Sequence, residues 1–356
     1  MANDGTTALV GAPGDGSNGE DSGSAFVFER ATDEWRRQAI LTADDLPRVQ
    51  GFGARIVLSG DSTTAVIGVH DLVEDSEEPG AFVFERTNEG WRQQAALTGE
   101  GSTNFWSSLA VSDDGTTVML GAPYAGSVYV FEQTDGGWGQ VAELVAEDGD
   151  DGDAFGAGVA VSGDGTTTII GATGFGDPDR VPQVSGSAFV FERTTDGWNQ
   201  RAKLTPADGD HNDQFGIPVV SNDGTTAVVG ARNDRAAYVF EPTDGEWSQQ
   251  TKLIPEGSTD RYDGLGEISV SRDGSIVMIG RPEDENPNGV EGSANVFVRT
   301  SEEWSQQTTL VPEDGTDESG VGMSTAMSSD GTTAIVGAPG DMAPNGESTG
   351  SAYVYE

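Results

Sequence analysis

The chain has 356 residues and no cysteine, and its 60 acidic residues against 18 basic residues give a formal net charge of −42. A disulfide framework is therefore excluded, and so acidic a protein lacks the basic surface that nucleic-acid binding requires. No apolar run is long enough to cross a membrane as a helix, so direct membrane insertion is not expected. The start, MANDGTTALV, lacks a charged segment followed by an apolar one, and we expect no signal peptide on this chain.

The acidic composition favours a high-salt environment. Such a surface repels itself in dilute buffer, whereas at molar salt the Debye length falls to about 3 Å and the repulsion is screened. An acidic surface that binds a partner is the alternative interpretation.

Seven related segments follow one another along the chain. The fourth is the clearest: it reads FGAGVAVSGDGTTTIIGATG, a variable loop, and then GSAFVFERTTDGWNQRAKL. Four short apolar runs in it, each bounded by Gly, Asp or Thr, predict four strands. The first segment lacks the first of these strands and the last segment lacks the fourth. The approximate boundaries are 1–42, 53–98, 105–145, 155–204, 216–254, 266–311 and 322–356.

The third strand of each segment is apolar on both faces. In the fourth segment Phe189 and Phe191 point to one side, and Ala188 and Val190 to the other. A small sheet of this kind cannot bury itself and needs copies of itself as neighbours. We therefore predict an all-β fold, a seven-bladed β-propeller of four-stranded antiparallel blades, in one domain spanning 1–356.

A six-blade closure is the alternative. The strand that begins at Trp35 would then complete the last blade, and residues 6–29 would remain as an extra N-terminal hairpin.

The lengths of the turns distinguish two faces of the predicted ring. The D-G-T-T and T-D-G-W turns are short and uniform, and they share one face. The opposite face carries all the variation in length, at 12–23, 70–79, 173–186, 282–292 and 339–350. Binding sites concentrate on variable loops over a rigid scaffold, so we expect function on this second face.

Two motifs recur, FG at 52–53, 155–156 and 215–216, and GAP at 11–13, 121–123 and 337–339. With the strands between them, they resemble the FG-GAP repeat of integrin alpha-subunit propellers and of microbial surface proteins, here in an acidic, haloarchaeal-type member. The resemblance covers nearly the whole chain. It implies a seven-bladed propeller, placement outside the cell or on its surface, and adhesion or ligand binding without catalysis.

No cofactor is required, and Ca²⁺ is the one candidate. Family members that bind calcium often carry a D-x-D-x-D-G loop, but the turn from Ser162 to Thr167 is too short and holds too few oxygens for that ion. Two other loops carry regularly spaced carboxylates that could bind Ca²⁺; a solvated acidic loop is the alternative. Their aspartates are Asp148, Asp150, Asp153, Asp208, Asp210 and Asp213.

Five residues are predicted to bind a ligand on the variable face. Trp106 and Tyr124 are aromatic residues that could stack on a sugar or an apolar side chain, although Trp106 could instead fill space near an irregular strand. Arg180, Arg232 and Arg235 are rare cations that suit carboxylates or sulfates, with pairing to neighbouring aspartates as the alternative.

These residues predict a binding or adhesion module of a halophilic cell-surface or secreted protein, with a protein or a glycan as its ligand. We expect no enzyme, because two histidines and no cysteine leave little for a His-based triad or a Cys nucleophile. A carboxylate-based polysaccharide hydrolase or lyase, and a purely structural module, are the alternatives.

Overall fold

The computed structural model describes most of the chain, and all structural statements below concern those residues. They contain strands and turns, and no helix among them is long and apolar enough to span a membrane. The described ranges are 1–16, 22–32, 34–43, 51–69, 79–99, 108–148, 153–174, 185–210, 213–257, 264–285, 290–301, 303–315, 319–342 and 349–356.

The strands form seven separate antiparallel sheets, which are the blades. Blades one and two contain β1 (Thr7–Ala12), β2 (Ser24–Ala31), β3 (Glu34–Leu41), β4 (Arg55–Leu58), β5 (Thr64–Gly68), β6 (Ala81–Thr87) and β7 (Gly90–Leu97). Blades three and four contain β8 (Leu109–Val111), β9 (Thr117–Ala122), β10 (Ser127–Thr134), β11 (Gly137–Leu144), β12 (Phe155–Val161), β13 (Thr167–Ala172), β14 (Ser187–Thr194) and β15 (Gly197–Leu204). Blades five to seven contain β16 (Phe215–Val220), β17 (Ala227–Ala231), β18 (Ala236–Thr243), β19 (Glu246–Leu253), β20 (Ile268–Val270), β21 (Ile276–Glu285), β22 (Glu291–Thr300), β23 (Glu303–Leu310), β24 (Ser324–Met327), β25 (Ala334–Ala338) and β26 (Ser351–Tyr355).

The predicted seven-bladed propeller is confirmed, and the six-blade alternative is wrong. The strand that contains Trp35 is β3, which pairs with β2 in register Arg30↔Trp35 and so belongs to the first blade. Blade one has the order β1-β2-β3 and blade seven the order β24-β25-β26, while the five between have four strands each.

The core consists of the interfaces between neighbouring blades. Phe189 and Phe191 of β14 are buried in one cluster with the third blade's Val130, and Ala188 and Val190 in another with residues of the fifth blade. The fourth blade therefore buries both faces, as the apolar pattern on both sides of its third strand predicts. The third strand of blade seven is less covered, and Val354 keeps 38% exposure.

Ion pairs between side chains near the ends of the third strands join neighbouring blades. An Arg of one blade contacts a Glu of the blade before it, as in Arg193–Glu132 at 2.6 Å. Arg30 of the first blade contacts Glu356 of the seventh at 2.5 Å in the same way. This pair closes the ring between its first and last blades.

A circle of backbone hydrogen bonds, here called the turn-face belt, encloses the end of the channel on the D-G-T-T face. Each blade contributes one position to this belt. That position is the residue directly after the buried serine that precedes the D-G-T-T turn, or the equivalent residue where the serine is absent. Its seven N–H···O bonds measure 2.8–3.0 Å. Around the ring the belt consists of Asn3, Gly60 with Asp61, Asp113, Gly163, Asn222, Arg272 and Ser329.

Candidate functional site

Three charged side chains gather where the channel opens on the variable-loop face, and we call them the loop-face mouth. Arg55 begins the inner strand of blade two, and Glu267 directly precedes the inner strand of blade six. The Arg55 Nη1 and Glu267 Oε1 atoms lie 3.9 Å apart. Arg232 directly follows β17, at the same end of the fifth blade, and its positive charge also acts on Glu267.

Two backbone hydrogen bonds fix the position of Glu267. Its N–H donates to the carbonyl of Met323, and its own carbonyl accepts from the N–H of Gly280. Partial desolvation of the carboxyl within the channel raises the pKa of Glu267, and the charges of Arg55 and Arg232 oppose this only in part. The side chain nevertheless keeps 49% exposure, so a ligand in the channel can reach it.

The two arginines of the short fifth-blade loop differ. Arg232 is exposed and, within the described part of the chain, forms no ion pair. Arg235 is half-buried and holds a left-handed backbone with φ of 56°. Their neighbour Asp234 contacts Lys252 at 2.9 Å and accepts a 2.5 Å hydrogen bond from the Tyr238 hydroxyl. Asp234, one of the aspartates that the alternative interpretation pairs with these arginines, therefore has other partners.

The predicted aromatic pair is described only in part. Tyr124 lies on the short loop of blade three with 64% of its surface exposed. Trp106 and Arg180 lie outside the described residues, so their place in a binding site stays a prediction.

The carboxylates predicted to bind calcium do not converge in the part that is described. The two lysines of the chain contact two of them, Lys203 with Asp148 at 3.0 Å and Lys252 with Asp208 at 2.8 Å. The hydrogen bonds from these lysines hold the pKa values of both carboxyls below the ordinary range.

The remaining aspartates of these loops make local contacts. Asp213 is buried, which raises the pKa of its carboxyl, and it accepts a 2.6 Å hydrogen bond from the N–H of Asp210. Asp153 is half-buried, and Asp150 lies outside the described residues. The described residues contain no group of three side chains that could hold a metal ion.

Sequence reasoning missed Arg55 and Glu267. The available signal was a charged residue at the start of an inner strand, where the fourth repeat carries Gly158. A single charge in so acidic a chain carries little information until the fold places it in the channel.

The comparison with protein families matches four segments of the chain. They are residues 1–28, 138–191, 198–240 and 304–355, just under half of its length. The chain carries FG-GAP repeats. This part of the predicted resemblance is confirmed, and the FG-GAP segments include parts of blades one and three to seven. No curated protein matches the chain.

Solved structures with little sequence similarity share the fold along nearly the whole chain. A protein from Lactobacillus plantarum has 11% identity and a TM-score of 0.64, covering 99% of this chain and 95% of its own. The periplasmic gluconolactonase of Pseudomonas aeruginosa has 15% identity and a TM-score of 0.60, covering 99% of each chain. A proposed 6-phosphogluconolactonase from Bacteroides uniformis has 14% identity and a TM-score of 0.65, covering 99% of this chain and 97% of its own.

These similarities correct one expectation. The absence of enzymatic activity was expected from the scarcity of histidine and the lack of cysteine, and as an exclusion it is wrong. The fold is shared with a gluconolactonase, which is an enzyme. A count of two residue types does not exclude chemistry carried by carboxylates and arginines.

Proposed function

We propose that this FG-GAP propeller binds a carboxylate-bearing sugar or an acidic glycan at the loop-face mouth of its channel. The main observation in support is that two arginine side chains, Arg55 and Arg232, lie near the carboxylate of Glu267, in a chain whose net charge is −42. Guanidinium groups bind carboxylates through two parallel hydrogen bonds, which favours acidic ligands over neutral sugars.

The same proposal places the protein outside the cell in a salty medium. FG-GAP repeats are typical of extracellular proteins, including integrin-like adhesion domains, and the surface charge suits molar salt. The negative field of the whole protein repels an acidic ligand in dilute buffer. Binding is therefore strongest where salt screens that field but leaves the close contacts with Arg55 and Arg232 largely intact.

A second candidate function is hydrolysis of a sugar-acid lactone at this mouth. The observation that favours it is Glu267, a carboxyl whose pKa is raised and which stands between two cations. Such a group suits a general base that removes a proton from water, and the arginines would stabilise the oxyanion that forms on the lactone carbonyl. The gluconolactonase among the structures with this fold is consistent with that chemistry.

Binding of an oligogalacturonate, measured by isothermal titration calorimetry in about 2 M KCl, tests the proposal. We expect Arg232→Ala and Arg55→Ala each to weaken binding about tenfold, the loss of one charge-assisted contact. The neutral oligogalactose of equal length should bind at least tenfold more weakly to the wild type.

Arg36→Ala is the matched control, because Arg36 is an exposed arginine of β3 that pairs with Glu34 away from the channel. Equal binding by wild type and Arg232→Ala would refute the site. In parallel, gluconolactone hydrolysis by wild type and Glu267→Gln distinguishes the two functions. Hydrolysis by the wild type that is lost in Glu267→Gln supports the enzymatic function. If the wild type shows no hydrolysis above the rate in buffer, only the binding function is supported.

A further inference from the structure

The opposite end of the channel contains a second set of polar side chains, on the turn-face belt. The belt's peptide groups bond to one another around the ring. Five of its residues that carry polar side chains line a cavity of about 140 Å³, namely Asn3, Asp113, Asn222, Arg272 and Ser329. The inner-strand residues Val161, Val220, Val270 and Met327 border it as well, but its accessible surface is mostly polar.

Asp113 stands between two glycines of the belt, and those glycines make room for two amides. The Asn222 Nδ2 donates a hydrogen bond to Asp113 Oδ2 across Gly163. Asn3 approaches Asp113 Oδ1 from the other side, across Gly60. A Cβ on either glycine would overlap with the amide and with the carboxylate. The order Asn, Gly, Asp, Gly, Asn thus fixes one carboxylate in the wall of the cavity.

Arg272 supplies the opposite charge from the far side of the ring. It belongs to blade six and Asp113 to blade three, and both line the same cavity. Within the described residues, neither side chain forms an ion pair, with the other or with a third group. The exposed Arg272 and the half-buried Asp113 therefore border one cavity without pairing, and each can still contact a charged ligand group.

We propose that this cavity binds a small zwitterion, of the type of a free α-amino acid. Asp113 takes the ammonium group and Arg272 takes the carboxylate, and a ligand with few carbon atoms between these groups suits a cavity whose surface is mostly polar. A cavity of about 150 Å³ admits a molecule the size of benzene, so a molecule with six heavy atoms fits. A zwitterion has no net charge, and the negative field of the protein does not repel it as it repels an anion.

The opposed charges also predict what the cavity rejects. Arg272 repels a simple ammonium ion, and Asp113 repels a simple carboxylate. A ligand that carries only one of the two groups gains one contact and meets one like charge, so it binds more weakly than the zwitterion.

Titration with L-alanine, followed by NMR or calorimetry in about 2 M KCl, tests this assignment against ethylamine and acetate as single-charge probes. We expect alanine to bind at least tenfold more tightly than either. Asp113→Asn and Arg272→Gln should each weaken alanine binding tenfold or more, while Arg36→Gln, outside the channel, should not change it.

A pair of glycine variants provides a test that leaves both charges in place. Gly163→Ala displaces the Asn222 amide and should weaken alanine binding, whereas Gly139→Ala, where no atom lies within 4 Å of the added Cβ, should leave it unchanged. No alanine binding to the wild type, equal binding of ethylamine, or full binding by Asp113→Asn would each overturn the proposal.

Discussion

The aspartates of the D-G-T-T turns are structural acceptors. In blade four the Asp164 Oδ1 accepts from the Ser162 hydroxyl at 2.7 Å, from the Thr166 hydroxyl at 2.7 Å and from the Thr166 N–H at 3.0 Å. Ser162 is fully buried and in turn accepts the N–H of Thr167 at 2.9 Å. The interpretation of these segments as hairpin turns that need no metal fits this geometry.

These contacts make the turns sensitive to acid. Partial burial opposes ionisation of Asp164, but hydrogen bonds from Ser162 and Thr166 outweigh it and lower its pKa. A lowered carboxyl pKa contributes stability above the unfolded value of about 3.9, and this contribution is lost as the pH falls through the folded value. Asp114, Asp223, Asp273 and Asp330 share the shift.

We therefore expect the melting temperature to fall below about pH 4, and to fall less steeply in Asp164→Asn than in the wild type. Asp196→Asn is the control, because it removes the same charge from an exposed turn of the same blade. Thermal melts between about pH 3 and 6 measure both. Identical pH profiles for wild type and Asp164→Asn would contradict the stabilising role of these hydrogen bonds.

At the scale of the hairpin, the second blade has a strained turn. The D-G glycines hold a left-handed backbone, with φ of 69° at Gly165 and 72° at Gly224. In blade two the same position is Ser62, with φ of 64°. A side chain in this conformation costs about 1–2 kcal/mol, and only part of that is offset by the greater freedom of glycine in the unfolded chain.

Ser62→Gly is accordingly expected to stabilise the protein by up to about 1 kcal/mol, and to raise the melting temperature by about 1–2 °C. The reciprocal change, Gly165→Ser, places the same residue in the matching turn of blade four and should lower it by a similar amount. Differential scanning calorimetry in high salt measures both. A Ser62→Gly variant that melts below the wild type would show that the serine makes a contact that outweighs its strain.

The strands were predictable because their signal repeats. Apolar alternation and D-G turns recur in each segment, and a neighbouring blade covers each face of β14. The connections between blades were not predictable. The Glu147 N–H donates to the Gln200 side chain of the next blade at 3.0 Å, and the Ala207 N–H does the same with Gln249 at 2.9 Å. A glutamine two residues after a tryptophan can be recognised as the partner of an inter-blade connection only when the arrangement of the blades is known.

At the scale of the whole molecule, many of the few cations stabilise contacts between blades. Arg30, Arg193 and Arg299 pair with glutamates of neighbouring blades. Lys203 and Lys252 pair with aspartates of the chain segments that connect the preceding blade to their own. Most of the 60 acidic residues therefore have no cation available to them. Their mutual repulsion opposes the compact state unless salt screens it.

We expect the melting temperature to fall on dilution from about 3 M to 0.1 M KCl. The ion pairs between blades gain strength at low salt, but they are few compared with the repelling carboxylates. Melts at constant pH across this range measure the balance. A melting temperature that stays level or rises on dilution would contradict the high-salt interpretation.

The candidate sites depend on the whole ring, which limits what the sequence could show. Arg55 and Glu267 are more than two hundred residues apart, and Asp113 and Arg272 more than one hundred and fifty. The number of blades was predictable as seven or six, but the choice depended on which strand pairs with β3. The place of Arg232 on a short loop was predictable from the repeat, whereas its neighbour Glu267 was not. The role of Arg232 in binding stays a prediction.

The contact between Arg30 and Glu356 has a consequence for the motions of the ring. The contacts between blades one and seven include this ion pair, a 2.9 Å bond from the Ser329 N–H to the Asn3 carbonyl, and the close approach of Gly5 to Ser328. Among the described strands, β1 and β26 each pair on one side only. The residues of β26 are mostly exposed, whereas those of β13 and β14 in the fourth blade are mostly buried, so local opening of the ring begins at the interface of blades one and seven. The amide protons of β1 and β26 then exchange with solvent before those of β13 and β14, and the channel, with both of its mouths, widens at this interface first.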